Sequence, residues 1–438
     1  MRARLHMCFW LLLLPMLGCA PNHAWRDVLD AKCPGDPRCD RAVIERHPAF
    51  DLAFVEFTER GNVFDRNRMQ AVLDHVKALA RQEKGGGVLA VVFVHGWKHN
   101  ASPDDKNVKS FREWLPKAAR LSPRRVVGIY IGWRGLSLDL GPLANVSYWD
   151  RKAVAHEVGK GGATEFLLRL EQVLQGQPQL VIGHSFGGAI VLTALNEVLL
   201  ERVIAAPEGK SCEPGCQECF KTRPFGHGVV LLNPAIEANE VLQLKELVSQ
   251  RCFAPSQSRL MHVISSDADR ATNKAFRMGQ WLGVSLRWSE TTFERKFGNK
   301  SITLDESDLD TITVGNFKPY QTGQLTVPEK AGAAWDYKTC VASTDCLAPE
   351  DKPRHIPARR HEPLAFIHTN AAFIADHNDI FNNNVAAYLA AIVHESRHLR
   401  ILSGIPEPPI PPPCKKGESF DFGACLSHFR GVLDPKSP

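Results

Sequence analysis

The chain has 438 residues, of which 44% are hydrophobic and 23% charged, the balance of a folded globular protein rather than a disordered one. The net charge of +5 is small for this length, and the basic residues are scattered, so a charge-driven nucleic-acid binder is excluded. The length admits one large domain with insertions, or two domains.

Residues 1–18 read as a leader. "MRARLHM" supplies Arg2 and Arg4, and the apolar run "CFWLLLLPMLG" that follows is shorter than the roughly 20 residues a bilayer span needs. "MLGC" resembles the lipobox of bacterial lipoproteins, which implies cleavage before Cys19 and lipidation of that cysteine. Ala20 after it implies the outer membrane. The alternative is cleavage after Ala20 and release as a soluble envelope protein. Twelve cysteines less Cys8 and Cys19 of the leader leave ten, an even number that agrees with export. Cys33 with Cys39, Cys340 with Cys346, and Cys414 with Cys425 read as local disulfides. Cys212, Cys216, Cys219 and Cys252 have a spacing that could bind zinc, but in an exported chain two further disulfides are favoured.

Beyond a Cys-bearing lead-in (19–50), "DLAFVEF" (51–57) reads as a strand. Met69, Val72, Val76 and Leu79 then fall at helical spacing. "GVLAVVFVHGW" (87–97) is an apolar run suited to a strand buried on both faces. A helix "NVKSFREWLPKAARL", the strand "RRVVGIYIGW" and a helical stretch "RKAVAHEVGKGGATEFLLRLEQVL" follow. Next come "QLVIGH", the helix "GAIVLTALNEVLLERV", and the strands "GVVLLNPA" and "RLMHVISS". This alternation predicts an α/β fold on a mostly parallel sheet. The domain is expected over 51–402, with insertions at about 207–226 and 270–360. A Pro-rich spacer and Cys-looped tail (403–438) read as an appendage.

"GHSFGG" places Ser185 between Gly183 and Gly187, after an apolar strand and before a helix. That is the strand–turn–helix of a nucleophile elbow, where flanking glycines relieve a crowded turn. Alone the motif is weak. Upstream, "FVHGW" ends a buried strand, where open α/β sheets place their ligands. An acyl-transfer site needs two N–H donors for the developing oxyanion. The amides of Phe186 and Trp97 are the candidates. His95 and His99 suit loop-shaping hydrogen bonds better than a metal.

"FVHGW" followed by "GHSFGG" resembles the α/β-hydrolase superfamily, specifically its lipase- and esterase-like members, over most of residues 50–400. The resemblance implies an α/β-hydrolase fold with inserted lid or cap segments and the chain order Ser, acid, His. The acid then falls in "SDADRAT", with Asp267 and Asp269 both eligible and Asp269 favoured. The base falls in "IADHNDIF", as His377. His368 lies in the preceding apolar run and reads as a core or edge histidine, His361 lies in a charged loop, and His394 and His398 read as a solvated helix face. Ser185, Asp269 and His377 would form a Ser-His-Asp triad that cleaves an acyl ester without cofactor or metal. The segment 275–288, with Met278, Trp281, Leu282 and Trp288, reads as a lid or as ordinary core packing. The substrate class implied is a small-molecule or lipid acyl ester, with the membrane as partner through the anchor. Peptidases and thioesterases share the constellation, and a non-catalytic binding lipoprotein of the same fold is the alternative of another class.

Overall fold

The structure is a computed structural model that describes residues 21–81, 87–137, 148–209, 216, 218–284, 291–327, 335–340, 347–356, 358 and 360–434; side chains of 281–284 are not described. The leader, Cys19, Cys212, Cys346 and Trp288 lie outside these residues.

Sheet strands are β1 (Val28–Lys32), β2 (Ala42–Arg46), β3 (Phe50–Glu56), β4 (Val88–Val94), β5 (Arg125–Gly132), β6 (Gln179–His184), β7 (Gly228–Leu232) and β8 (Met261–Ser266). A separate hairpin, β9 (Thr292–Phe297) and β10 (Lys300–Asp305), precedes β11 (Gly323–Thr326), β12 (Asp336–Thr339) and β13 (Leu364–Thr369). Among the described residues the large sheet has eleven strands in the order β1-β2-β3-β5-β4-β6-β7-β8-β13-β11-β12. Pairing is parallel from β3 through β11, with antiparallel junctions at β2–β3 and β11–β12.

The central strands are apolar on both faces because both faces are covered. Ala90, Val92 and Val94 of β4 point into one core, and Leu89, Val91 and Phe93 into the other. The first core is closed by α1 (Arg66–Ala80), α4 (Thr164–Leu174) and α5 (Phe186–Ile204), and α1 buries Met69, Val72, Leu73 and Val76. The second is closed by α2 (Lys106–Leu121) and α9 (Asn383–Leu402). Asp65 and Asp105 cap α1 and α2 by accepting backbone N–H groups of the first turn. The stretch expected to be one helix despite its glycines is two, α3 (Tyr148–Val158) and α4. They are joined by a π-turn (Gly159–Ala163) in which Gly161 leaves helical geometry.

Residues 19–50 and 270–360 are less separate than the sequence implies: β1 and β2 extend the main sheet at one edge, and β11 pairs in parallel with β13 at the other. The tail is packed rather than appended. Its helix α10 (Phe422–Leu433), stapled by the Cys414–Cys425 disulfide, buries Leu426 and Phe429 in the second core. That corrects the reading of α9. His394 stacks on Phe429 at 4.9 Å and accepts a hydrogen bond from Arg397, while His398 lies against Phe420, so neither is on a solvated face. Disulfides also join Cys33 to Cys39 and Cys216 to Cys252, and Cys219 and Cys340 are disulfide-bonded.

Candidate active site

Every side chain of the constellation stands at the carboxyl ends of parallel strands. Ser185 follows β6 directly and has φ 56° and ψ −122°, a backbone conformation that a non-glycine residue holds only at a cost of about 1–3 kcal/mol. The surroundings enforce it: Ser185 N–H donates to Leu232 O at 3.2 Å, and its carbonyl accepts from Gly188 N and Ala235 N, each at 3.0 Å. A β-carbon on Gly187 would lie 2.0 Å from the Val94 carbonyl oxygen, and one on Gly183 would lie 2.6 Å from Gly187 O. The elbow is therefore closed to any larger residue at either position.

His377 sits in the loop between β13 and α9. Its Nε2 accepts from Ser185 Oγ at 2.9 Å, and its Nδ1–H donates to Asp269 Oδ2 at 2.9 Å. Asp269 is fully buried, in the loop after β8. Thr272 Oγ1 also donates to Oδ2 at 2.6 Å, while Oδ1 accepts from the amides of Ala271 at 2.8 Å and Thr272 at 3.3 Å. Burial alone would raise this carboxyl, but the hydrogen bonds from His377 and Thr272, with the histidine's charge, hold it below the usual carboxylate range. Asp267, the other eligible acid, is exposed and faces His368 at 3.4 Å instead.

The loop after β4 lies against the serine: a β-carbon on Gly96 would come within 2.7 Å of Ser185 Cβ. His95 shapes that loop. Its Nδ1–H donates to Gly96 O at 2.9 Å and its Nε2 accepts from Trp133 N at 3.1 Å, with the ring stacked on Trp133. Full burial pushes His95 down to about 4, which keeps it neutral and so able to donate and accept at once. His99 pairs through Nδ1 with Asp105 at 3.1 Å. Phe186 is the first residue of α5, so its N–H has no intrahelical acceptor. Trp97 and Phe186 both face the cavity above Ser185.

That cavity holds about 560 Å³, within the range of ligand sites. Its wall is aromatic. Tyr148 packs edge-on against Trp97 at 5.7 Å and lies 5.2 Å from Phe186 and 6.5 Å from Phe276. Met278 and Gly279 of α7 (Phe276–Val284) complete that side.

Two supporting residues escape a reading by sequence motif. His184, inside the elbow motif, is buried and donates Nε2–H to the carbonyl oxygen of His377 at 2.7 Å, so it holds the backbone of that histidine. Burial pushes His184 well below its ordinary value. Thr272, the last residue of "SDADRAT", steadies Asp269. Its only sequence signal is a hydroxyl three residues beyond an acid. Among the described residues, one group has metal-ligand spacing (Cys33, Glu45, His47), but Cys33 is in a disulfide and Glu45 is paired with Arg26 and Arg112.

The Alpha/beta hydrolase family model matches residues 91–294, a span that opens in β4, contains Ser185 and Asp269, and ends before His377. With its helix-flanked, mostly parallel sheet, the chain has the α/β-hydrolase fold, and the match supports a hydrolase of that fold. Comparison with curated proteins and with solved structures gives no match.

Proposed function

We propose that the protein is an exported serine hydrolase that cleaves carboxylic esters through an acyl-enzyme. The observation that carries this is the unbroken hydrogen-bonded chain Ser185–His377–Asp269, at 2.9 Å for each link, with Ser185 and His377 lining the aromatic cavity and Asp269 buried behind them. In this reading Ser185 Oγ attacks the ester carbonyl carbon and passes its proton to His377 Nε2. The amides of Trp97 and Phe186 hold the resulting oxyanion, each such donor contributing about 2.7–4 kcal/mol. Collapse breaks the carbon–alkoxide bond, and the alkoxide leaves as alcohol with the proton from His377. Water then gives a proton to His377 and attacks the acyl carbon, releasing the acid and returning the proton to Ser185. Asp269 keeps the Nδ1–H tautomer and stabilises the imidazolium. No metal or cofactor enters any step. The apolar wall of Trp97, Tyr148, Phe276 and Met278 favours an acyl group over a charged or peptide side chain.

The test is a panel of 4-nitrophenyl esters of rising chain length beside peptide amides, with a fluorophosphonate probe. Ester cleavage that Ser185→Ala abolishes, with probe label on Ser185, is expected. Preferential amide cleavage would make the protein an amidase of the same fold. No cleavage and no label would leave a binding lipoprotein.

A further inference from the structure

The N-terminal segment is rooted at the edge of the sheet where the candidate triad stands. Residues 21–23 share a cleft with Asn100, Ala101, Trp133 and Arg134, all just beyond the carboxyl ends of β4 and β5. The segment is fastened there. Trp25 and Arg26 donate their N–H groups to the carboxylate of Glu56, the last residue of β3, at 2.8 and 3.0 Å, and Arg26 Nε donates to Ala101 O at 3.1 Å.

This root adjoins the rim of the cavity. Asn100 follows His99, which lines the cavity and accepts at its carbonyl from Gly135 N at 2.9 Å. Arg151 Nη1 donates to Arg134 O at 2.9 Å, two residues along α3 from Trp149. Trp149 and Met278 line the cavity yet are 45% and 68% exposed, unusual for large apolar side chains flanking one opening.

Cys19 precedes Pro21 by two residues, a reach of at most about 7 Å. A lipid on Cys19 therefore sets the bilayer surface beside this rim and not at the opposite edge of the sheet. We propose that acylated Cys19 holds the mouth of the cavity against the membrane, with Trp149 and Met278 in the interface, and that the substrate is an acyl ester of a phospholipid from that same leaflet. The inference rests on the hydrolase reading above. Trp149 suits the headgroup level, where an amphipathic ring has an apolar body in the lipid and a polar edge in water.

The test uses the full-length acylated protein reconstituted on vesicles of phosphatidylethanolamine and phosphatidylglycerol. Fatty-acid release and 4-nitrophenyl butyrate hydrolysis are measured in the same sample. A spacer of about twenty prolines between Ala20 and Pro21 extends roughly 60 Å at about 3.1 Å per residue. It should lower fatty-acid release about tenfold or more by lifting the mouth off the surface, while butyrate hydrolysis stays within about twofold. Brominated phosphatidylcholine in the vesicles should quench tryptophan fluorescence of the parent protein, and Trp149→Phe should remove most of that quenching. Undiminished lipid hydrolysis by the spacer variant, quenching indifferent to Trp149→Phe, or an unacylated Cys19 by mass spectrometry would each overturn the proposal. Butyrate cleavage without fatty-acid release by the parent protein would overturn this proposal while leaving the hydrolase reading standing. If no form cleaves the butyrate ester, the hydrolase reading fails and this inference fails with it.

Discussion

Replacing Asp269 by asparagine tests the site more sharply than removing the serine, because it changes one charge and almost no volume. The carboxylate accepts four hydrogen bonds, two at Oδ1 from the amides of Ala271 and Thr272 and two at Oδ2 from His377 and the Thr272 hydroxyl. An asparagine must keep its carbonyl oxygen toward the two amides, since turning it would set its NH2 against two fixed N–H donors at about 1–3 kcal/mol each. Its NH2 then faces His377. The imidazole can meet that donor only with an unprotonated Nδ1, which moves the ring proton to Nε2 and leaves nothing to accept the proton of Ser185. The expected loss in kcat is about 10⁴-fold, or about 5 kcal/mol of transition-state stabilisation. Asp267→Asn is the matched control. Its side chain is exposed and meets His368 rather than His377, so kcat should stay within about twofold and stability within about 1 kcal/mol. Both are read as kcat on a 4-nitrophenyl ester, with urea unfolding to show that each variant is folded. Equal losses for the two variants, or the larger loss for Asp267→Asn, would refute the assignment and the tautomer argument with it.

Backbone strain at Ser185 has a measurable counterpart. Ser185→Gly should be inactive yet more stable by about 1–3 kcal/mol, because glycine occupies φ 56° and ψ −122° without penalty, while Ser185→Ala should be equally inactive and no more stable. Urea unfolding of the pair reads the difference. Gly187→Ala should unfold or fail to accumulate, since its β-carbon would sit 2.0 Å from the Val94 carbonyl, a contact beyond the about 1–3 kcal/mol of ordinary overpacking. Acid should weaken the fold through buried histidines. Burial lowers His95 to about 4, and His227, His262 and His394 to about 3 each. A histidine depressed in the folded state leaves the unfolded chain holding more protons, so stability is complete above about 6.5 and falls as pH drops toward these values. His262→Leu removes one such site and should shallow the slope of unfolding free energy between pH 7 and 5; an unchanged slope would count against the burial account.

How much of this could be read from the sequence depends on what each residue's position depends on. The central strands were legible because burial on both faces leaves an unbroken apolar run, and Ser185 and His95 follow such runs within two residues. The order Ser185, Asp269, His377 came from the resemblance to the α/β-hydrolases rather than from any local pattern, and the structure brings these three side chains together in loops that follow parallel strands. Choosing between Asp267 and Asp269 was harder, because the deciding contacts belong to another strand. Asp267 N–H donates to Thr369 O at the end of β13, which sets its side chain beside His368, while a turn closed by Asp269 N–H to Ser266 O carries the second acid round to His377. No local pattern encodes that register. The edge strands were missed because they are short and end in charges, Lys32 in β1 and Arg46 in β2. The histidines of α9 were misread because the residues that cover them, Phe420 and Phe429, return from beyond a proline-rich spacer. The cavity wall is the extreme case. Tyr148, Phe276 and Trp97 come from three segments far apart in the chain and meet only because α3, α7 and the loop after β4 converge over one strand end. The proposed acyl-transfer chemistry would rest on loops that the sheet places directly. Substrate choice would rest on the meeting of segments that carry no shared motif, so it has to be sought in the cavity and in the tether proposed beside it.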